Sequence, residues 1–307
     1  MNDRSQGWSD YWEQEGAGGE VFVNASGEKH PALEGFWRPH FEGLSTGSAI
    51  IDIACGAGSI YGHLPDEHGF ELFAADLSEE ALAVLETRIP GVKVLACPAD
   101  KIPLDDHGFD RVVSQFGIEY AGTDAFAEAA RLVKAGGRLV ALVHLRGGYI
   151  DSRNKAQLAE AKLLDETNFV DHCLELTAAA FSKSPPRIQK AEAAFGPVLS
   201  EIDAGVGRVR QGVHTYLLAG FRQLYERRAQ YDKSDITGWL EGMRGEVDKA
   251  IARLSHMRAA AMSVEDMETI RVHLEAQGLV NVAIEEFYTP GNDKAVAWRL
   301  QADRPAD

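Results

Sequence analysis

Residues 50–58 read Ile50-Ile51-Asp52-Ile53-Ala54-Cys55-Gly56-Ala57-Gly58. The stretch begins with a run rich in β-branched residues that ends in an acid, and two glycines two positions apart follow it. This pattern is typical of a buried parallel strand that turns into a helix. Glycine suits such a turn because it adopts positive φ angles and has no Cβ to hold a ligand away from the backbone. The stretch therefore predicts a nucleotide-like ligand at the carboxyl end of a first strand.

The residues after the glycines discriminate between ligands. A dinucleotide fingerprint, G-x-G-x-x-G, requires a third glycine where this chain has Tyr61, which disfavours NAD and FAD. A carboxylate at Asp52 suits a ligand with an ammonium or sulfonium charge better than a pyrophosphate. In these residues the chain resembles the first motif of class I S-adenosylmethionine (SAM)-dependent methyltransferases, with Ala54 where a glycine is often found. The resemblance implies that Asp52, Ala54, Gly56 and Gly58 bind SAM, and that S-adenosylhomocysteine is the product.

Two later segments match the same family in the same order. The second apolar run ends at Asp76, about 20 residues beyond the glycines, where a carboxylate can accept hydrogen bonds from ribose hydroxyls. Leu77 follows it, and the resemblance implies that Leu77 and Ala99 also contact the cofactor. Ser78 is a good cap for the next helix. After a third apolar run come Ala99 and Asp100, and the resemblance implies that an acid here lies near the adenine amino group.

The fourth segment is predicted to carry the edge of the acceptor pocket. Residues 109–117 read as a fourth strand that runs into a site loop. We expect Gln115 to contact the cofactor, and Phe116, Glu119 and Tyr120 to line the pocket. Glu119 could bind a substrate amine or be an exposed helix residue.

A helix over 124–134 is expected to follow, with Gly136 and Gly137 as its C-terminal cap and a fifth strand over 138–143. The C-terminal residues then predict a helix from Ser263 to Gly278 and a strand hairpin. The fold class is therefore α/β: a Rossmann-like, doubly wound, mostly parallel seven-stranded sheet with an antiparallel C-terminal hairpin and a helical cap insertion. The predicted domains are an N-terminal helical or lid segment (1–48), the SAM-binding core (49–146), the cap insertion (147–262), and a C-terminal helix and hairpin (263–303).

The insertion has helical periodicity and almost no strand signal, with helices expected over about 155–181, 187–204, 213–231 and 235–262. It is too long for an ordinary strand–helix connection. It also leaves the carboxyl end of a parallel strand, the edge at which open α/β sheets bind ligands. We expect it to cover the substrate pocket; a homodimerisation arm is the alternative.

Aromatic side chains precede the first strand in two groups. Trp37 and Phe41 are expected to pack on the core. Trp8, Tyr11 and Trp12 could instead form a lid that contacts substrate, since an aromatic face is a favourable neighbour for a sulfonium cation.

Composition limits the classes of partner. The 307 residues include 47 acids against 31 Lys and Arg, a net charge of −16 that disfavours nucleic acid. No apolar run is long enough to span a bilayer, and the N-terminus lacks the apolar core of a signal peptide. Three cysteines without metal-ligand spacing predict no metal site and a reduced, cytoplasmic setting.

The chemistry expected is in-line transfer of a methyl group to a small soluble metabolite. His144, at the end of the fifth strand, is the candidate base or substrate ligand. Arg146 and Arg153 could bind a substrate carboxylate. No base–partner pair is visible at local spacing, which slightly favours an amino-acid-like or thioether acceptor that need not lose a proton. The alternatives are an NAD(P)-dependent oxidoreductase and a non-catalytic SAM-binding module.

Overall fold

The computed structural model describes residues 31–205 and 212–306. The described residues divide into two compact units, one comprising residues 31–151 and 259–306 and the other residues 152–205 and 212–258. Each unit contains its own cluster of buried apolar side chains. The division lies within a few residues of the predicted insertion.

The first unit is built on a seven-stranded sheet with the strand order β3-β2-β1-β4-β5-β7-β6. Strands β1 to β5 are mutually parallel, and β7 runs antiparallel to both β5 and β6. This confirms the Rossmann-like fold class. The strands are β1 Ala49–Ile53, β2 Glu71–Asp76, β3 Lys93–Ala96, β4 Phe109–Gln115, β5 Val133–His144, β6 Val280–Phe287 and β7 Ala297–Asp303.

Nine α-helices lie within the described residues, and 3-10 turns cover Ile60–His63, Ile118–Ala121 and Arg228–Gln230. The helices are α1 Pro31–Phe41, α2 Glu79–Arg88, α3 Asp124–Leu132, α4 Tyr149–Glu166, α5 Phe169–Ser182, α6 Pro185–Gly205, α7 Val213–Glu226, α8 Lys233–Ala260 and α9 Val264–Ala276.

Two helix ends behave as the sequence predicts. The Ser78 hydroxyl accepts a hydrogen bond from the Ala81 N–H and so caps α2. Ser263 and Asp266 form a reciprocal capping box at the start of α9, and Gly278, with φ of +81°, follows its end. These caps fix where α2 and α9 begin and where α9 ends.

The predicted glycine cap after α3 is wrong, because β5 already begins at Val133. Gly136 and Gly137 lie inside this strand, where its register with β4 shifts. Gly136 has φ of +73° and donates its N–H to the Arg304 carbonyl, while a Cβ on Gly137 would lie 2.8 Å from the Phe109 carbonyl oxygen. The glycines are therefore needed by an irregular strand, not by a helix end.

The second unit is helical, as the periodicity indicates. One expected helix, over 155–181, is in fact two, because Asn168 adopts a left-handed conformation (φ of +50°) between α4 and α5. The apolar stripe on α7 packs in the core of this unit, with Leu217 and Phe221 buried. Asp171 forms an ion pair with Arg244 on α8.

Helix α1 belongs to the core of the first unit, where Trp37 and Phe41 are buried as expected. The three aromatic residues Trp8, Tyr11 and Trp12 lie outside the described residues. Among the helices of residues 31–205 and 212–306, none combines the length and the apolarity that crossing a bilayer requires.

Candidate functional site

The carboxyl ends of the five parallel strands bring the predicted site residues to one edge of the sheet. Strand β1 lies between β2 and β4, so the chain crosses from one half of the sheet to the other at this point. Open α/β sheets bind ligands at such a switch point. The residues at or just beyond this edge include Asp52 and Ala54 from β1, Asp76 and Leu77 from β2, Ala99 and Asp100 after β3, Gln115 and Phe116 from β4, and His144 from β5.

The loop after β1 is left-handed at three positions. Ala54, Gly56 and Gly58 have φ of +53°, +50° and +75°. A Cβ on Gly58 would lie 2.2 Å from a methyl group of Leu85, so this glycine is required for α2 to pack against the loop. The loop therefore turns tightly while its backbone stays close to the strand ends.

Tyr61, at the position of the missing third glycine, joins two strands. Its buried hydroxyl accepts a hydrogen bond from the Asp52 N–H (3.1 Å) and donates one to the Phe73 carbonyl. The side chain thus bridges β1 and β2 beneath the loop. Sequence reasoning used Tyr61 only to exclude a dinucleotide and missed this bridge.

Asp76 ties the loops after β1 and β2 together. One carboxylate oxygen accepts from the Gly56 N–H (2.8 Å) and the other from the Ser78 N–H (2.9 Å). Burial raises the pKa of Asp76, and these backbone donors oppose the rise. Because each carboxylate oxygen has a second lone pair, the group can still accept two ribose hydroxyls.

The carboxylate of Asp52 is buried, and one of its oxygens has no hydrogen-bond partner in the described residues. The residue is 1% exposed, and the oxygen without a partner in residues 31–205 and 212–306 is Oδ1. Burial and then the charge of Asp76 hold the pKa of Asp52 well above its usual range. An unpaired buried carboxylate is costly, and a cationic ligand group would relieve that cost. The donor and acceptor set therefore fits SAM, which has both a positively charged end and a ribose diol.

The cofactor residues predicted after β2 and β3 are Leu77, Ala99 and Asp100. Leu77 is 56% exposed, which is unusual for a large apolar side chain and leaves it free to cover a ring. Ala99 is buried, and Asp100 is exposed in the turn that follows β3. Their contacts with a cofactor stay predictions.

Gln115 connects the end of β4 to its surroundings. Its amide oxygen accepts from the Trp37 indole N–H (2.5 Å), and its amide nitrogen donates to the Ser59 hydroxyl (3.1 Å). The next residue, Phe116, is left-handed at φ of +54°. A Cβ on Gly117 would lie 2.4 Å from the Ala54 carbonyl oxygen, so the loops after β1 and β4 pack closely.

Glu119 and His144 form a buried pair. Glu119 lies on the 3-10 turn after β4 and is 2% exposed. Its Oε1 lies 2.6 Å from Nδ1 of His144 and also accepts a hydrogen bond from the His144 backbone N–H at 2.9 Å. The expectation that Glu119 could be an exposed helix residue is therefore wrong. No base–partner pair is visible at local spacing because these two residues are 25 positions apart and meet across β4 and β5.

Two aromatic rings contact this pair. The Phe116 ring lies 4.7 Å from the His144 imidazole, and the Tyr120 ring meets it edge-on at 6.0 Å. Burial, with a contribution from Glu119, holds the pKa of Tyr120 well above its usual range. The sheet edge at β4 and β5 is therefore aromatic and contains one oriented imidazole.

Arg146 has partners within the first unit. Arg146 donates from Nε to the Ala261 carbonyl (3.0 Å) and lies 3.6 Å from Asp266 at the start of α9. Arg153 belongs to the second unit. Carboxylate binding by either arginine stays a prediction.

Residues 51–141 match the family model described as a methyltransferase domain. A demethylmenaquinone methyltransferase of Renibacterium salmoninarum is 33% identical over 100 residues, 32% of this chain and 42% of that protein. The ubiquinone/menaquinone biosynthesis C-methyltransferase UbiE of Pseudomonas fluorescens is 32% identical over 111 residues, 33% of this chain and 43% of that protein. The chain thus spans less than half the length of these relatives. A solved SAM-dependent methyltransferase from Mesorhizobium loti is 25% identical, with 43% of this chain and 56% of that chain covered at a TM-score of 0.32.

Proposed function

We propose that this chain, whose residues 51–141 match a methyltransferase domain, is a class I SAM-dependent methyltransferase that transfers the methyl group of SAM to a small soluble metabolite. The observation that carries the proposal is the pair of acids at the switch point of the sheet. Asp76 is held by the glycine loop, and Asp52 is buried beside it without a counter-charge.

Each residue of this edge has a distinct part in binding. Asp76 accepts the ribose hydroxyls, and Asp52 offsets the positive charge of the amino acid end of SAM. Leu77, Ala99 and Asp100 surround the adenine, and Gln115 borders the methyl-bearing end. When bound, SAM supplies a methyl group on a positively charged sulfur, so the protein need only align the acceptor with it and exclude water.

The acceptor is proposed to be a small molecule. The matched relatives are named for quinone methylation, and the net charge of −16 disfavours a polyanionic substrate. That the helical insertion over 147–262 covers the acceptor stays a prediction. A cytoplasmic location and dimerisation through the insertion belong to the same proposal.

Replacing Asp76 tests the cofactor assignment. Hydrogen bonds to a charged group contribute about 1.5–3 kcal/mol each, so loss of two in Asp76→Ala should weaken SAM binding by about 100-fold or more. Isothermal titration calorimetry with SAM, and with NAD for comparison, measures this. Asp105→Ala removes an exposed acid in the loop before β4 and should leave the affinity unchanged.

Three results would contradict the proposal. Equal SAM affinity of Asp76→Ala and the parent chain would remove the ribose assignment, provided that both melt normally. Binding of NAD in preference to SAM would favour an oxidoreductase. Tight SAM binding without S-adenosylhomocysteine from any pool of metabolites would favour a non-catalytic module.

A further inference from the structure

We propose that Glu119 and His144 act together as a general base, and that the methyl acceptor is consequently a weakly acidic hydroxyl on an unsaturated ring. This inference rests on the proposed function and deepens it. It replaces the thioether acceptor that the sequence slightly favours, because that preference depended on the lack of a base–partner pair.

The first step of the argument is the orientation of the imidazole. Oε1 of Glu119 lies 2.6 Å from Nδ1 of His144 and accepts the backbone N–H of the same histidine. An ionised carboxylate can only accept, so Nδ1 carries the proton and Nε2 carries the lone pair. The second hydrogen bond fixes the carboxylate relative to the strand, so the ring cannot turn without losing its partner.

The second step is that the pair is buried and incompletely satisfied. Glu119 is 2% and His144 5% exposed, and Oε2 of Glu119 has no hydrogen-bond partner in the described chain. A pair that served packing alone would be expected to satisfy this oxygen, because buried polar groups without partners are costly.

The third step is the position of the pair. His144 is the last residue of β5, and Glu119 follows β4, so both lie at the edge that carries Asp52 and Asp76. Phe116 contacts the imidazole while held in a left-handed conformation. Non-glycine residues keep such a conformation where the surrounding structure enforces it, and they concentrate at functional sites.

The reaction step balances as follows. Nε2 of His144 takes the proton of the acceptor hydroxyl, and the resulting oxyanion forms a bond to the methyl carbon as the carbon–sulfur bond of SAM breaks and its electron pair stays on sulfur. Glu119 stabilises the imidazolium that forms, and solvent later removes the extra proton.

The choice of a phenol-like hydroxyl follows from proton affinity. The phenol of tyrosine ionises at a pKa near 10, and the pKa of water is far higher, so an imidazole removes a phenolic proton far more readily than one from water or an alcohol. A thioether or a tertiary amine has no proton to lose. The aromatic rings of Phe116 and Tyr120 beside the base also suit a flat, unsaturated acceptor.

The test uses methyl-labelled SAM with two phenols (phenol and catechol) and two thioethers (methionine and dimethyl sulfide). We expect label in a phenol and not in a thioether. Glu119→Gln and His144→Gln should lower kcat by about 100- to 10,000-fold while the Kd for SAM changes less than twofold. The parent chain should lose kcat as pH falls, and His144→Gln should lose that pH dependence.

Nitrogen-detected NMR of His144 provides a readout that does not depend on activity. The parent chain should show a proton on Nδ1, and Glu119→Gln should shift it toward Nε2, because a glutamine amide can donate to Nδ1. The matched control is Glu160→Gln, which alters the buried Glu160–His214 pair of the second unit and should leave the His144 signal and the SAM affinity unchanged.

The inference is overturned if thioethers are methylated and phenols are not, if no probe is methylated although SAM binds, or if Glu119→Gln retains the parent kcat. It is equally overturned if Nε2 of His144 is the protonated nitrogen in the parent chain. Failure of the proposed function gives a different result, namely a parent chain that does not bind SAM.

Discussion

Tyr61→Phe should destabilise the first unit far more than the loss of one hydroxyl at the surface would. The Tyr61 hydroxyl is buried and connects the Asp52 N–H of β1 to the Phe73 carbonyl of β2. Phenylalanine retains the ring and leaves both backbone groups unsatisfied. A buried polar group without its partner costs about 1–3 kcal/mol, so a total of about 3 kcal/mol is expected after partial relaxation.

This free energy corresponds to a measurable change in melting temperature. The described part of the first unit spans residues 31–151 and 259–306. For a unit of this size 1 kcal/mol corresponds to about 2–4 °C, so Tyr61→Phe should lower Tm by about 6–12 °C. Differential scanning calorimetry measures the shift. Amide hydrogen exchange should show faster exchange in β1 and β2, because the loss is local.

Tyr288→Phe is the matched control, since Tyr288 is 53% exposed and its hydroxyl bonds to Glu286 at the surface. Its free energy of unfolding should change by less than about 0.5 kcal/mol. If Tyr61→Phe melts within two degrees of the parent chain, the bridge between β1 and β2 is not a source of stability and the reasoning is refuted.

Two further predictions concern the loops of the site. Burial and Asp76 raise the pKa of Asp52 in the folded state, so stability is highest below the ordinary carboxyl pKa and falls as pH rises through the raised value. Asp52→Asn should therefore have a higher Tm than the parent chain at alkaline pH, and its Tm should depend less on pH. It should also bind SAM less tightly. A lower Tm that changes with pH as steeply as that of the parent chain would contradict this. Gly117→Ala places a Cβ 2.4 Å from the Ala54 carbonyl oxygen and should lower the free energy of unfolding, measured in urea, by about 1–3 kcal/mol. Gly35→Ala is the control: no atom lies close to a Cβ at this position of α1, so the free energy of unfolding should stay the same or rise. Equal effects of the two alanines would show that the loops can separate without cost.

Features that depend on neighbours in sequence are predictable from the residues alone. The glycine loop, the Ser78 cap and the capping box at Ser263 each involve groups a few positions apart, and the structure has them where the pattern indicates. Burial of the helix face that contains Leu217 and Phe221 follows from periodicity in the same way.

Features that depend on strand pairing cannot be predicted from the residues alone. Glu119 and His144 become partners because β4 pairs with β5, and the side chains of adjacent strands meet irrespective of their separation in the chain. Gly136 and Gly137 look like a helix cap until the register shift between β4 and β5 is known. Tyr61 has no visible role until its hydroxyl is seen between two backbones.

The central claim is that this chain methylates a small molecule with SAM. The most direct measurement is incubation of the purified protein with methyl-labelled SAM and a fractionated cell extract, with S-adenosylhomocysteine formation followed in parallel. The account predicts label in the small-molecule fraction, in proportion to the S-adenosylhomocysteine formed. Label confined to protein or nucleic acid, or no S-adenosylhomocysteine at all, would contradict it.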